Sequence, residues 1–412
     1  MKKICLLLFL SALGVNAAVF ESQSIDVTAE LQKMLSSEKE IIISARKTPY
    51  LISSTLRMSS DQTLTLSPGV VLEAAPDKFH KKNDELLTLE NLKNVKIIGY
   101  GSEIRMRKKD YQDIKRYSRS EHRHGIAIRD CNNVEISGVT VRSTGGDGLY
   151  VGTLNKVKGY CSNITVRDSV FDDNHRQGIS IISVENLLVE RCVLSNTSGT
   201  APEAGIDFEP NHPTQRLVNC VVRDCLAYNN RDLGYHMWLK NVTPETLPVS
   251  IRFERCVAIG GSASAHVGVG AAGARGNVDF IDCQFVNPII NGIRLRDKGA
   301  DSFQLLFRNC LITGVGIHKY VSRRGKTYNL NAPVAMFTIY KRSNNPGGVK
   351  FDNLLIIDQH NRPSFVIADP IDFAPNGFRN VTGTVQINSP TTEPIKLYGT
   401  KINGEAQLKL VR

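Results

Sequence analysis

A degenerate repeat of about two to three dozen residues runs through most of the chain and limits its fold more than any other feature. One half of the unit reads NNVEISGVTV, SNITVRDSVF, ENLLVERCVL, VSIRFERCVAI, GNVDFIDCQF, FQLLFRNCLI and GVKFDNLLII. The other half reads HGIAIRD, DGLYVG, QGISIIS, AGIDFEP, YHMWLK, AHVGVG and NGIRLRD. Both halves are short apolar alternations, and Asn, Gly and Asp crowd the gaps between them.

Gly125, Gly148, Gly178 and Gly205 are 23, 30 and 27 residues apart, and Gly205 to Gly292 spans 87. Such spacing has no room for the helical crossover of a βαβ unit but suits three short strands and three turns. The repeat predicts an all-β chain wound as a right-handed, single-stranded parallel β-helix, one solenoid domain over residues 19–412. Val27, Leu31, Met34 and Leu35 fall at helical spacing within 24–35, which predicts an amphipathic helix capping the first coil. Interruptions near 105–123, 240–248 and 314–333 predict loops thrown out from the coils, and 371–412 the last winding.

The start, MKKICLLLFLSALGVNAAVF, has two lysines, an apolar run and small residues at Ala17 and Ala18, which predicts a cleaved export signal over 1–18. A secreted or periplasmic location follows, and no later stretch is long and apolar enough to span a bilayer. With 412 residues, 41% hydrophobic and 22% charged, the chain is neither a peptide hormone, nor a disulfide-stapled mini-domain, nor wholly disordered. The formal charge of +11, or +9 without Lys2 and Lys3, favours anionic partners. Cys192, Cys220, Cys256, Cys283 and Cys310 each follow a strand-like run and predict a column of small buried thiols. Disulfides are the alternative in an exported protein, with the roles of Cys220 and Cys225 open.

The repeats, with the opening stretch YLISSTLRMSSDQTLTLSPGVVLEA, resemble the pectate-lyase-like superfamily of right-handed parallel β-helix proteins. The resemblance spans nearly all of the mature chain. It implies carbohydrate chemistry in a groove along one face, in a group that includes glycoside hydrolases, polysaccharide lyases, uronan epimerases and phage tailspikes.

In a strand, alternate residues share a face, so Ile206 and Phe208 inward place Asp207 and Glu209 outward, about 6–7 Å apart. Paired carboxylates at that separation serve glycoside hydrolysis as acid and as base or nucleophile, while on an exposed face they also solubilise or pair with arginines. In the same register Arg129, Asp147 and Tyr150 lie on one side, and His236, Trp238, His266, Arg294 and Arg296 on the other. These make a candidate saccharide groove: His236 joins Asp207 and Glu209 as a catalytic candidate, and the others are substrate-binding candidates. Trp238 would stack on a pyranose face, and Arg294 or Arg296 would hold a carboxylate or sulfate. A register slip of one residue would send His236 into the core instead.

Asp147 in GGDGLYVG resembles the aspartate–glycine turn of polygalacturonase-like enzymes, but no paired aspartates follow it. The same segment lacks the spacing and strand-to-helix context of a nucleotide-binding loop. Basic residues at 108–124 and in GVGIHKYVSRRGKTYNLNAP, including His318, Lys319, Arg323, Arg324 and Lys326, are either solvated loops or lips for an anionic polymer. Nucleic acid is disfavoured as a partner by export and by the lack of a base-stacking pattern.

The favoured reading is a glycoside hydrolase acting on an acidic polysaccharide or oligosaccharide, with no cofactor and no metal. The alternatives are a lyase or uronan epimerase, in which Asp207, Glu209 and an adjoining acid would hold calcium, and a noncatalytic carbohydrate-binding or tailspike-like protein.

Overall fold

The computed structural model describes residues 17–321, 327–328, 330–339, 346–368, 377–398 and 408–411. Over these the chain is a right-handed parallel β-helix with one α-helix near its N-terminus. A 12-stranded sheet runs in chain order from Leu56–Arg57 to Ile395–Tyr398, and the other strands of the coils form a 22-stranded sheet. Successive coils pair parallel and in register, so that Ile206 faces Ile179 in the preceding coil and Tyr235 in the next.

The turn residues of the repeat supply the corners. Asp168, Arg191, Asp224, Arg255, Asp282, Asn309 and Asn353 occupy equivalent positions, with φ between 50° and 65°. This left-handed region suits Asp and Asn, whose short polar side chains bond locally. The two arginines are held by the aspartate one coil earlier, Arg191 by Asp168 and Arg255 by Asp224, both at 2.7 Å.

The residue after each corner turns inward. Here stand Ser169, Cys192, Cys225, Cys256, Cys283 and Cys310, each donating to the carbonyl two residues back. The thiol column expected from the sequence therefore passes through Cys225. Cys220 lies within the strand Leu217–Arg223, paired with Leu187 and Ile251. All eight described cysteines are free and buried, which removes the disulfide alternative for them.

The glycine spacing has a steric cause. A Cβ on Gly125, Gly148, Gly178, Gly205 or Gly234 would lie 2.5–2.9 Å from a carbonyl oxygen of the next coil, too close for any larger residue without moving the backbone. The opposite wall of the core is a stack of phenylalanines. Phe253, Phe280 and Phe307 lie nearly parallel at centroid distances of 4.5 and 4.9 Å, and Phe351 continues the stack at 5.7 Å.

The helix spans Thr28–Ser37 and covers the first coil with Leu31 and Leu35. It starts later than the 24–35 periodicity suggested because Asp26 pairs as a bridge with Leu51 and its carboxylate accepts from the Thr28 N–H and hydroxyl. Ala18, the last residue of the expected export signal, already belongs to the strand Ala18–Phe20 on Glu40–Ile43; residues 1–16 lie outside those described. Loops emerge after Arg105, where a short 3-10 turn spans Asp110–Gln112, and between Trp238 and Val249. The third insertion carries an antiparallel pair, Tyr320–Val321 with Thr327–Tyr328; its Arg323, Arg324 and Lys326, like 369–376, 399–407 and 412 of the last winding, lie outside the described residues.

Candidate active site

The outer face of the 12-stranded sheet carries one ladder of side chains in register: Tyr150, Ser180, Asp207, His236, His266 and Arg294. Ile206, Phe208, Tyr235 and Met237 point into the core, which fixes the register and brings His236 beside Asp207. The His236 Nδ1 lies 2.8 Å from the Asp207 Oδ1, and Gln177 donates its Nε2 to the other carboxylate oxygen at 2.7 Å. With Nδ1 turned to Asp207, Nε2 is the ring nitrogen of His236 left for an outside partner, on a residue that is itself 5% exposed and lies beside the cleft lining, outside it. His266 stacks face to face on His236 at 4.9 Å.

Arg176, just before the strand Gln177–Ile181, joins the acids together. Its Nη2 donates to Glu209 at 3.0 Å, Nη1 lies 3.6 Å from Asp147, and Nε lies 3.7 Å from Glu121. Burial pushes the Asp147 carboxyl up to about 7 against the pull of Arg176, with the Asp207 charge adding to the rise. Glu209 is also raised, by burial and then by Asp207, again against Arg176. His124 is held well below the usual imidazole range by burial and by Arg129, so it is neutral. Its Nδ1 accepts the Asp147 N–H at 3.0 Å, which places its proton on Nε2 and makes the contact with the Asp147 carboxyl no ion pair.

A cleft of ≈ 660 Å³ opens over this cluster. Its walls come from the loop after Arg105 (Glu121, His122, His124), the segment after Gly152 (Leu154, Lys156) and the end of the DFE segment (Glu209, Asn211), with Arg57, Arg129, Tyr150 and Arg176 also lining it. A smaller hollow of ≈ 360 Å³ on the other sheet is lined by Asn163, Asn186 and Asn219, whose amides bond one another from coil to coil.

The expected pair of outward acids is thus split. The Glu209 side chain is 19% exposed and lines the cleft, whereas that of Asp207 is 1% exposed and turned to His236 and Gln177. Asp147 is fully buried behind Arg176, so it shapes the charge of the site without contacting anything in the cleft. Arg294 is no anion clamp. It is buried, with its guanidinium bonded to Asn291 and Ser262 and 3.6 Å from Asp232. His266 is likewise buried against the face of His236 instead of lining a surface. Arg129 lines the cleft but is gripped by Glu85 and lies over the Tyr150 ring at 5.1 Å. The Trp238 indole lies across Gly268, where a Cβ would come within 2.3 Å of the ring, and Arg296 sits 4.1 Å from its centroid.

The sequence patterns do not single out Arg176, Gln177 or Glu121, and they place His124 only in the basic stretch at 108–124. Arg176 stands in the turn before the strand Gln177–Ile181 and Gln177 opens that strand, where alternation carries little signal, and Glu121 and His124 sit in or beside an insertion.

The protonation of Asp147 has a measurable consequence. In the folded chain it titrates near 7, against an ordinary value of 3.8, so the unfolded chain releases the proton first. The stabilisation from the neutral carboxyl is complete below about pH 4 and is lost as pH rises through 7. Asp147→Asn, neutral throughout, is therefore expected to gain on the native protein between pH 4 and 7, by up to about 4 kcal/mol, and to hold that lead above. Urea denaturation of both proteins across pH 4–8 measures the difference, and a gap independent of pH would contradict the assignment.

A family profile described as the right-handed β-helix region matches residues 82–211. A search of curated protein sequences gives no match. Among solved structures, the A-module of the mannuronan C-5 epimerase AlgE4 of Azotobacter vinelandii superposes with a TM-score of 0.56 at 11% identity, covering 92% of this chain and 94% of that one. The catalytic unit of a GH87 α-1,3-glucanase of Streptomyces thermodiastaticus gives 0.53 at 10%, covering 94% of this chain and 65% of that one. The Dettilon tailspike protein gives 0.51 at 11%, covering 93% and 68%. At such identities the likeness defines the fold class, a right-handed parallel β-helix that several families share, and stops there.

Proposed function

We propose that the chain is an exported glycoside hydrolase that cleaves an acidic polysaccharide or oligosaccharide in the cleft above Glu209. The observation that carries this reading is the placement of Glu209: a carboxyl at the cleft wall, raised above its ordinary range, with Oε2 bonded to Arg176 and Oε1 taking no hydrogen bond among the described residues. A rise is the direction that suits a general acid, which must give a proton to the leaving glycosidic oxygen. His236, oriented by Asp207 as a positioning residue, takes the proton of the attacking water at Nε2. The glycosidic bond breaks, the water oxygen joins the anomeric carbon, and the two products together gain one water. The cleft sets Arg57, Arg129, Lys156 and Arg176 beside Glu85, Glu90, Glu121 and Glu209, so the acidic character of the substrate rests on the +11 formal charge of the whole chain. The known solved structures of this fold, including a glucanase, an epimerase and a tailspike, make saccharide chemistry the reasonable class to test.

One feature favours a second reading. His236 and Arg176 both act on Glu209 from neighbouring coils, and a histidine with an arginine around one sugar is also the set needed to remove a C5 proton, as a lyase or epimerase does. Incubating the mature protein with acidic and neutral polysaccharides, with and without calcium, separates the readings by product mass. Products that gain water are expected. Unsaturated products, or inversion without cleavage, would replace hydrolysis with the second reading, and tight binding with no product would favour a noncatalytic protein.

A further inference from the structure

The acids Asp147, Glu209 and Glu121 under the cleft face one centre, and that centre is already filled; among the described residues no set of acids, histidines or cysteines is arranged to hold a metal ion. Three nitrogens of one guanidinium face three different carboxylates: Nη2 to Glu209 at 3.0 Å, Nη1 to Asp147 at 3.6 Å and Nε to Glu121 at 3.7 Å. Both Asp147 carboxyl oxygens are buried and accept no hydrogen bond, so the nearby guanidinium is the charge that compensates them when they ionise. Calcium needs about six to eight oxygen ligands at roughly 2.3–2.6 Å, and an ion that close to both Glu209 and Asp147 would overlap the arginine. Nor can Arg176 readily swing aside. Its backbone N–H and that of His175 both bond the Gly146 carbonyl at 3.1 Å, and the next residue, Gln177, is tied to Asp207. A guanidinium stays charged at every pH at which the fold persists, so the compensation is permanent.

We infer that Arg176 is a built-in counter-cation that takes the place of a divalent metal among Asp147, Glu209 and Glu121, so that the site works without calcium. The lyase alternative placed calcium on Asp207, Glu209 and an adjoining acid; in the fold Asp207 is turned to His236 and Gln177 and Glu209 to Arg176, which does not fit that arrangement. The inference concerns the carboxylate cluster itself and rests on the hydrolase reading only for its consequence on turnover. Its main test needs no substrate.

Calcium is titrated calorimetrically into the full mature protein and into Arg176→Ala, each first freed of metal with EDTA and checked by its circular-dichroism melt. The native protein is expected to give no saturable heat up to about 1 mM calcium, the weak end of known extracellular sites. Arg176→Ala, with three carboxylates released around an empty centre, is expected to bind one calcium at least tenfold more tightly. Arg176→Lys, which restores a cation, should abolish that gain, as should Glu209→Gln placed on the alanine variant. If the alanine variant does not fold, Arg176→Gln takes its place. One calcium bound by the native protein and lost in Glu209→Gln would overturn the inference, and so would a folded alanine variant that gains no binding. Once a substrate is known, the EDTA-treated native protein should keep its full rate, and a tenfold loss restored by calcium would overturn the inference while leaving the hydrolase reading to be judged by its products.

Discussion

Replacing Glu209 with Gln is expected to lower kcat on the cleaved saccharide by about a thousandfold, with KM and melting temperature little changed. The amide keeps the shape and can still accept from Arg176, but it has no proton to give to a leaving oxygen. Of the two acids in the DFE segment, only Glu209 lines the cleft, so the effect should be far larger than that of removing a charge at its rim. Asp207→Asn should act differently. It removes the carboxylate oxygen that lies 2.8 Å from the His236 Nδ1, so it should loosen the orientation of the ring and lower kcat by less than Glu209→Gln does. Steady-state kinetics for both variants check this. A Glu209→Gln protein with near-native kcat would remove Glu209 from catalysis.

Phe280→Ala should cost about 3–5 kcal/mol of stability, the range for emptying a fully buried aromatic position. Phe280 is fully buried between Phe253 and Phe307, each stacked on it within 5 Å, and it also meets Phe285 edge-on at 6.0 Å. Each coil leans mainly on its neighbours, so the loss should fall on both adjoining coils. Denaturant unfolding followed by circular dichroism gives the value. A loss under 1 kcal/mol would mean that the stack is not a load shared between coils.

The solenoid was legible in the chain because its periodic signals are local and repeated. The glycines at 125, 148, 178 and 205 mark where one coil's backbone crowds the next, and Ile206 and Phe208 mark the inward face of their strand. The repeat also carried the thiol column, but it was misaligned by one member. Cys225 follows an Asp at the left-handed corner, the signature shared by Cys283, whereas Cys220 stands inside its strand.

The site was legible only in part. Alternation correctly sets Asp207 and His236 on the outer face, yet it cannot tell that Asp207 spends its oxygens on Gln177 and His236 from the neighbouring coils. Arg176 escaped notice because its role depends on Asp147, Glu209 and Glu121, all at least 29 residues or one coil away along the chain or carried by a loop. Arg294 read as an anion clamp because an outward arginine looks free in sequence, while in the fold Asn291 and Ser262 hold it.

The most direct test of saccharide hydrolysis above Glu209 is to run the reaction in ¹⁸O-labelled water with the native protein and with Glu209→Gln, and to weigh the first products released. Each native cleavage is expected to place one ¹⁸O on the new reducing end, and the variant to release almost nothing. Products without label that carry a double bond, or labelled products formed equally fast by the variant, would contradict this.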